Sequence, residues 1–299
     1  MTKTIFIPFL MEKKDLKSWM LLLLLSLIWG GSYILMKQGL KSYSYWQVSS
    51  IRMISAFVFL LPFTIKNLKK LSRKNLIPIL VVAFIGNLIP SILFPLGQTK
   101  VDSNVAGVLN SLVPVFVLII GILFFKKKTS LMQILGVIIG LAGAALLITS
   151  KNPFRFGTMN FFALYIVTAT ILYSININQV SIYLKNLDGL EIASLAFLFI
   201  GPTSLVIFLN TDLNSIKFSP EIIFHTLCII TLGLMGSAVA VSIANQLITK
   251  SGPMFASSVT YIIPVFAIFW GILDGEKLNL FQILATIIIM LGVYLVNKK

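Results

Sequence analysis

Two apolar stretches of this chain carry the same sparse set of polar side chains. In one, Asn110 and Ser111 stand between Gly107 and Pro114; in the other, Ser257, Thr260 and Tyr261 lead to Pro264. The steps are i, i+3, i+4 and i+7, which put each set along one face of a helix. Amides, hydroxyls and phenols both donate and accept hydrogen bonds, so two such faces brought together could bind and release a polar solute. Tyr173, Asn176 and Gln179 recur at three-residue steps in a third stretch, and Ser242, Asn245 and Gln246 cluster in a fourth. The competing reading is that these groups join helices, each bond contributing ~0.6–2 kcal/mol, with Pro114 and Pro264 as tolerated kinks. Trp29, Ser32 and Tyr33 form a weaker group, since tryptophan also packs or anchors at interfaces.

Covalent and metal chemistry find little support. His225 is the lone histidine and Cys228 the lone cysteine, so no disulfide can form and no zinc-type ligand cluster exists. No nucleophile stands beside a base within the apolar runs, which argues against an intramembrane enzyme acting on lipid. We therefore expect no catalytic residue, metal or cofactor. The acids all fall in loops or at the ends of apolar runs, so a buried carboxylate proton relay is not expected, with Glu191 the one alternative. Arg52 is the charge most nearly inside an apolar run. At its centre it would cost ~2.5–3.5 kcal/mol, so it is expected to snorkel or to bond a helix carbonyl; contact with a solute as a charge partner is the alternative.

The elements that must position these residues are set by composition. The 299 residues are 58% hydrophobic and 11% charged, against about a quarter charged in soluble domains. A hydrocarbon core about 30 Å thick needs ~20 apolar residues per crossing. Apolar runs bounded by Lys, Asn, Asp, Gly or Pro predict spans at 19–40, 46–66, 76–97, 103–125 and 130–149. A second series follows at 159–181, 190–209, 221–248, 253–273 and 279–296. The expected organisation is an all-α polytopic membrane protein with a cytoplasmic segment 1–18 and two five-helix units, 19–150 and 151–299. The run from Trp19 reads as a retained helix, without a clear small-residue cleavage site.

The net charge of +15 could suggest a nucleic-acid partner, but the basic residues lie in loops between spans, where they report topology. Placing the amino terminus in the cytoplasm puts sixteen of them inside and seven outside, and both ends then lie inside. The loop after the fourth span carries Lys126, Lys127 and Lys128, whereas the turn after the ninth reads Asp274-Gly275-Glu276.

Those two spans also match at a constant offset of 150 residues. Thr99-Lys100 corresponds to Thr249-Lys250, Ala106 to Ala256, Pro114-Val115-Phe116 to Pro264-Val265-Phe266, and Gly121-Ile122-Leu123 to Gly271-Ile272-Leu273. After one deletion, Gln133-Ile134-Leu135 aligns with Gln282-Ile283-Leu284 and Gly143 with Gly292. A unit with an odd number of spans re-enters the membrane upside down, so the duplication predicts inverted repeats meeting about an axis in the membrane plane. Gly136, Gly140 and Gly143 form a small-residue face suited to close packing within the chain, with a dimer contact as the alternative; a monomer would suffice, and oligomeric state stays open.

Leu27-Ile28-Trp29-Gly30, Arg52 and the series Pro264, Gly271, Glu276, Gln282 and Gly292 resemble the drug/metabolite transporter superfamily, in particular its ten-helix EamA-type members. The first copy departs from the pattern, with Lys126 at the position of the acidic turn residue. The resemblance implies an inner-membrane carrier for small metabolites, often an exporter, with a central cavity lined by both repeats. A channel or a non-transporting scaffold would share the helices but not saturable flux.

Overall fold

The structure is a computed structural model that describes residues 16–125, 129–149, 161–216 and 219–297. Segment 1–15, the basic run Lys126, Lys127 and Lys128, the connection 150–160 and the last two lysines lie outside the described residues. Among the described residues every regular element is helical. The spans are α1 (Leu16–Gly39), α2 (Tyr45–Lys70), α3 (Arg73–Gln98), α4 (Ser103–Phe125) and α5 (Leu131–Ile148). They continue with α6 (Phe161–Tyr183), α7 (Gly189–Leu209), α8 (Ile222–Ser251), α9 (Pro253–Leu273) and the shorter α10 (Leu280–Val296). Large apolar side chains point outward, Ile77, Leu123 and Ile223 being 71%, 69% and 70% exposed, as expected of a surface solvated by acyl chains rather than water.

Repeated polar residues explain where equivalent helices begin. Ser130 and Gln133 open α5 with a reciprocal cap: the Ser130 N–H donates to Gln133 Oε1 at 3.0 Å, and the Gln133 N–H to Ser130 Oγ at 3.3 Å. Asn279 and Gln282 repeat this at α10, at 3.0 and 2.8 Å. Ser44 with Gln47 and Asp188 with Glu191 form the corresponding pair of caps on α2 and α7. Each satisfies orphan N–H groups where the chain enters the apolar layer.

The equivalent helices α2 and α7, and α5 and α10, pack against each other and run antiparallel. Along α2 and α7, Gln47 Nε2 reaches the Asp212 carbonyl at 3.0 Å, the Phe57 ring abuts Gly201, Thr64 Oγ1 donates to the Ser194 carbonyl at 2.9 Å, and Lys70 pairs with Glu191. Along α5 and α10, Gln133 Nε2 reaches the Val296 carbonyl at 3.1 Å, and Gly140 lies against Gly292. Exchanging the halves turns the α3–α6 contact into α8–α1 and the α4–α6 contact into α9–α1, and all four pairs are packed. This is the helix arrangement of an inverted repeat.

Four spans are interrupted in the same paired way. Residues Phe84–Leu88 of α3 and Leu232–Val239 of α8 form wide π turns. The fourth span divides into Ser103–Asn110 and Val113–Phe125, and the ninth into Pro253–Ser257 and Ile263–Leu273. Pro114 and Pro264 each stand second in the later segment, where a missing N–H breaks no helical bond. The stripes read at i, i+3, i+4 and i+7 along α4 and α9 therefore each cross a break in the helix.

A Cβ on Gly292 would lie 2.6 Å from Gly140 Cα and 2.7 Å from the Gly136 carbonyl, both backbone atoms. At Gly31 the nearest neighbour would be the Trp270 indole nitrogen at 3.5 Å. Gly292→Ala should thus destabilise detergent-solubilised protein by about 1–3 kcal/mol through overpacking, whereas Gly31→Ala leaves the thermal midpoint unchanged. Equal midpoints for the two variants would contradict the α5–α10 contact.

Candidate functional site

The interruptions surround a central cavity lined by residues of both halves. Gly86 and Asn87 come from the π turn of α3 and Gly236 from that of α8; Asn110 and Val113 flank the break in α4, and Ser257 and Thr260 that in α9. Broken backbone is tolerated at membrane depth where it lines a cavity or packs within protein, because its polar groups would otherwise face hydrocarbon.

The remaining walls are aromatic and polar. Trp29 lines the cavity from α1 and is held by its indole N–H, which donates to the Gly236 carbonyl at 3.0 Å. Tyr33, Phe94 and Tyr173 form a chain of rings with centroids 5.9 and 5.8 Å apart, the second pair stacked. The Asn110 side chain lies beside the Tyr33 hydroxyl. Asn176 sits against Gly86, where a side chain would collide with its amide, and Asn245 enters from α8 with its amide nitrogen buried and without an acceptor.

Arg52 differs most from expectation. It is 7% exposed and lines the cavity instead of snorkelling, and its Nε donates to the Ser237 hydroxyl at 2.7 Å rather than to a carbonyl. The π turn in α8 brings Ser237 to it. The guanidinium lies within electrostatic range of Tyr33 and Tyr173.

Of the residues singled out from the sequence, Asn110, Tyr173, Asn176, Asn245, Ser257, Thr260 and Arg52 meet at this cavity, together with the weaker group Trp29, Ser32 and Tyr33. Others do not line it. Ser111 bonds back to the Val108 carbonyl at 2.6 Å, and the Tyr261 hydroxyl donates to the Val293 carbonyl of α10 at 2.7 Å. Gln179 reaches the Pro78 carbonyl at 3.2 Å and Asn176 Oδ1 at 3.3 Å, behind the lining. Gln246 packs where α8 crosses Gly189 of α7. Pro114 and Pro264 start helical segments beside the cavity. The breaks shift the helical phase, so a stripe continuous at i, i+3, i+4, i+7 is divided between two directions.

Sequence reasoning missed Phe94, Met53, Gly86 and Asn87. The 150-residue offset could have found the last two, since Gly86-Asn87 corresponds to Gly236-Ser237.

It also missed an ionic cluster joining the halves at one end of the bundle. Lys37 Nζ lies 2.7 Å from both Asp274 Oδ2 and Glu276 Oε1, and Gln38 Nε2 donates to Asp274 Oδ1 at 2.8 Å. The Glu276 carboxylate accepts the Ser103 and Asn104 N–H groups at 2.9 and 3.0 Å, neutralising the positive end of α4. Gly275, with φ of 82°, makes the turn that aims both acids at Lys37. Glu191, the alternative proton carrier, instead pairs with Lys70 and accepts the Asp188 N–H, outside the lining. Among the described residues no group of His, Cys, Asp and Glu could hold a metal ion.

Comparison with known proteins agrees with this architecture. The model of the EamA-like transporter family matches residues 16–149 and again 160–298. An inner membrane transporter of Escherichia coli K12, YedA, described as uncharacterized, is 28% identical over 91% of this chain and 88% of its own length. An uncharacterized transporter of Archaeoglobus fulgidus is 24% identical over 95% of this chain and its own full length. A crystal structure 11% identical to the chain superimposes with a TM-score of 0.68 over 94% of this chain and 96% of the other, which shows a shared fold. With a family match in each half and a fold of antiparallel equivalent helices, the chain belongs to the EamA-like transporter family, of the drug/metabolite transporter superfamily, and is a multi-pass membrane transporter.

Proposed function

We propose that the chain is a secondary carrier that moves a small polar metabolite, with amino acids among the candidate cargoes, by exposing its central cavity alternately to the two membrane faces. The observation that carries this reading is the cavity itself, walled by both halves and bordered by four helix interruptions where backbone can bend. Tyr173, Asn176, Asn110, Asn245, Ser257 and Thr260 hold the solute through many individually weak bonds, so that release remains possible in either state. Pro114 and Pro264 act as hinges beside the cavity. Both termini lie in the cytoplasm, in keeping with the basic bias of the loops, and export is the direction suggested by the superfamily. Among the described residues no acid lines the cavity, which supports exchange or facilitated diffusion without a carboxylate relay. The same lining offers a lipid-modifying enzyme no nucleophile paired with a base.

The two ends of α1 are tied to the second half, by Ser18 to Ser251 with hydroxyl oxygens 3.2 Å apart, and by Gln38 to Asp274. In a Cys228→Ser background, a disulfide between Ser18→Cys and Ser251→Cys should arrest counterflow in proteoliposomes. A short reversible thiosulfonate bridge between Gln38→Cys and Asp274→Cys should do the same, reductant restoring flux in both cases. Undiminished flux through either locked protein would exclude alternation. Collapse of the pH gradient should leave the wild-type rate unchanged.

Asn110→Ala, Asn176→Ala and Asn245→Ala should each lower transport several-fold, since one hydrogen bond is worth about 1 kcal/mol, while leaving insertion intact. Tyr261→Phe should instead lower the thermal midpoint and spare solute affinity. Normal flux in all three asparagine variants would remove this assignment of the site.

A further inference from the structure

Arg52 brings a full positive charge into the cavity, and no described residue neutralises it. Among the described residues no carboxylate lies within 4.0 Å of the guanidinium, and the described ion pairs involve only Lys37 and Lys70. Of its five N–H donors, the described bonds occupy the one on Nε, through Ser237. That bond holds the guanidinium by its inner edge, leaving the two terminal nitrogens as an unoccupied fork. An isolated cation closed off from water is costly, and cationic side chains at membrane depth normally pair with carboxylates or backbone carbonyls. The protein supplies a hydroxyl instead.

We propose that the cargo is a net monoanion whose carboxylate docks on the Arg52 fork. This rests on the carrier reading above and narrows it. A carboxylate matches the fork in bidentate geometry, and a single negative charge brings the occluded site to neutrality. A phosphate dianion would leave one charge uncompensated, and a cation would add to the existing charge, with no described acid in the lining to receive it. A zwitterion would have to bury its ammonium without a counter-ion.

The rest of the lining fits the body of such a molecule. The stacked rings of Phe94 and Tyr173, with Tyr33 beside them, give a flat apolar wall next to the charge. Asn245 offers a second donor: its amide nitrogen is buried and unpartnered, the residue is 2% exposed, and it lines the same cavity. It follows Ser237 by eight residues along α8, so it meets a part of the bound molecule away from the Arg52 anchor.

Ligands of one skeleton and graded charge test the proposal on the intact wild-type protein. The probes are 3-phenylpropanoate, phenylalanine and 2-phenylethylamine, of net charge minus one, zero and plus one, together with phenyl phosphate as the dianionic source. Thermal-shift titration of purified protein should give the tightest binding for 3-phenylpropanoate. Phenylalanine should be about tenfold weaker, from an uncompensated ammonium, and the amine weaker still. Arg52→Gln should weaken 3-phenylpropanoate by at least about tenfold, the loss of a charge-assisted bond, and erase the preference. Arg52→Lys should retain the order with lower affinity. The proposal is overturned by equal or tighter binding of phenylalanine, the amine or phenyl phosphate, by failure of all four to bind, or by an Arg52→Gln variant of wild-type thermal midpoint that keeps the preference. The wild-type series decides even if that variant does not fold. Counterflow separates the two readings: flux of phenylalanine or the amine without flux of 3-phenylpropanoate ends this inference and leaves the carrier standing, while the locked-protein experiment bears on the carrier alone.

Discussion

Hydrocarbon cannot satisfy a backbone N–H or carbonyl, and the architecture follows from that constraint. Every span must be helical where it meets lipid, so a departure from the α-helix has to turn inward. The π turns of α3 and α8 and the breaks of α4 and α9 all do so, and they converge on one cavity. The place where the backbone is least regular is therefore also where polar groups can reach a solute. Local helix geometry and binding capacity have a common origin here.

Duplication makes this convergence possible. Antiparallel pairing of α2 with α7 and of α5 with α10 brings equivalent mid-span positions to the same depth. Close approach is set by glycine: Gly136 and Gly140 admit the backbone of α10 at Gly292. Between lipid-solvated helices there is no hydrophobic drive to associate, so such contact relies on dispersion and short polar bonds. The capping glutamines Gln133 and Gln282 recur because both helices begin with the same unsatisfied N–H groups. Their shared register in sequence is thus a record of a physical requirement.

The halves share a backbone plan but differ in charge. Lys37, Asp274 and Glu276 bind α1 to the α9–α10 turn at one end of the bundle, and Lys70 with Glu191 joins α2 to α7. Glu276 does two jobs at once, pairing with Lys37 and terminating the α4 helix dipole at Ser103 and Asn104. The acidic turn residue Glu276 is in this chain a tie between the halves. Among the described residues Arg52 alone brings a charged side chain into the cavity lining.

Much of the fold was legible in the residues. The ten spans lie within four residues of their expected limits, because membrane thickness sets a length that any apolar run must meet. The offset between Pro114 and Pro264, and between Gly143 and Gly292, disclosed two related halves, and an odd number of spans required their inversion. The site was legible only in outline. Asn110, Asn176, Asn245 and Thr260 reach the cavity, but Ser111 and Tyr261, in phase with them on an unbroken helix, turn away where α4 and α9 break. Arg52 sits in a span like any other residue until the π turn of α8 carries Ser237 to its Nε. Length, hydropathy and repetition are local properties that a sequence carries by itself. Which polar face points inward depends on helical phase, and interruptions and contacts between distant spans reset that phase, so the tertiary structure alone decided it.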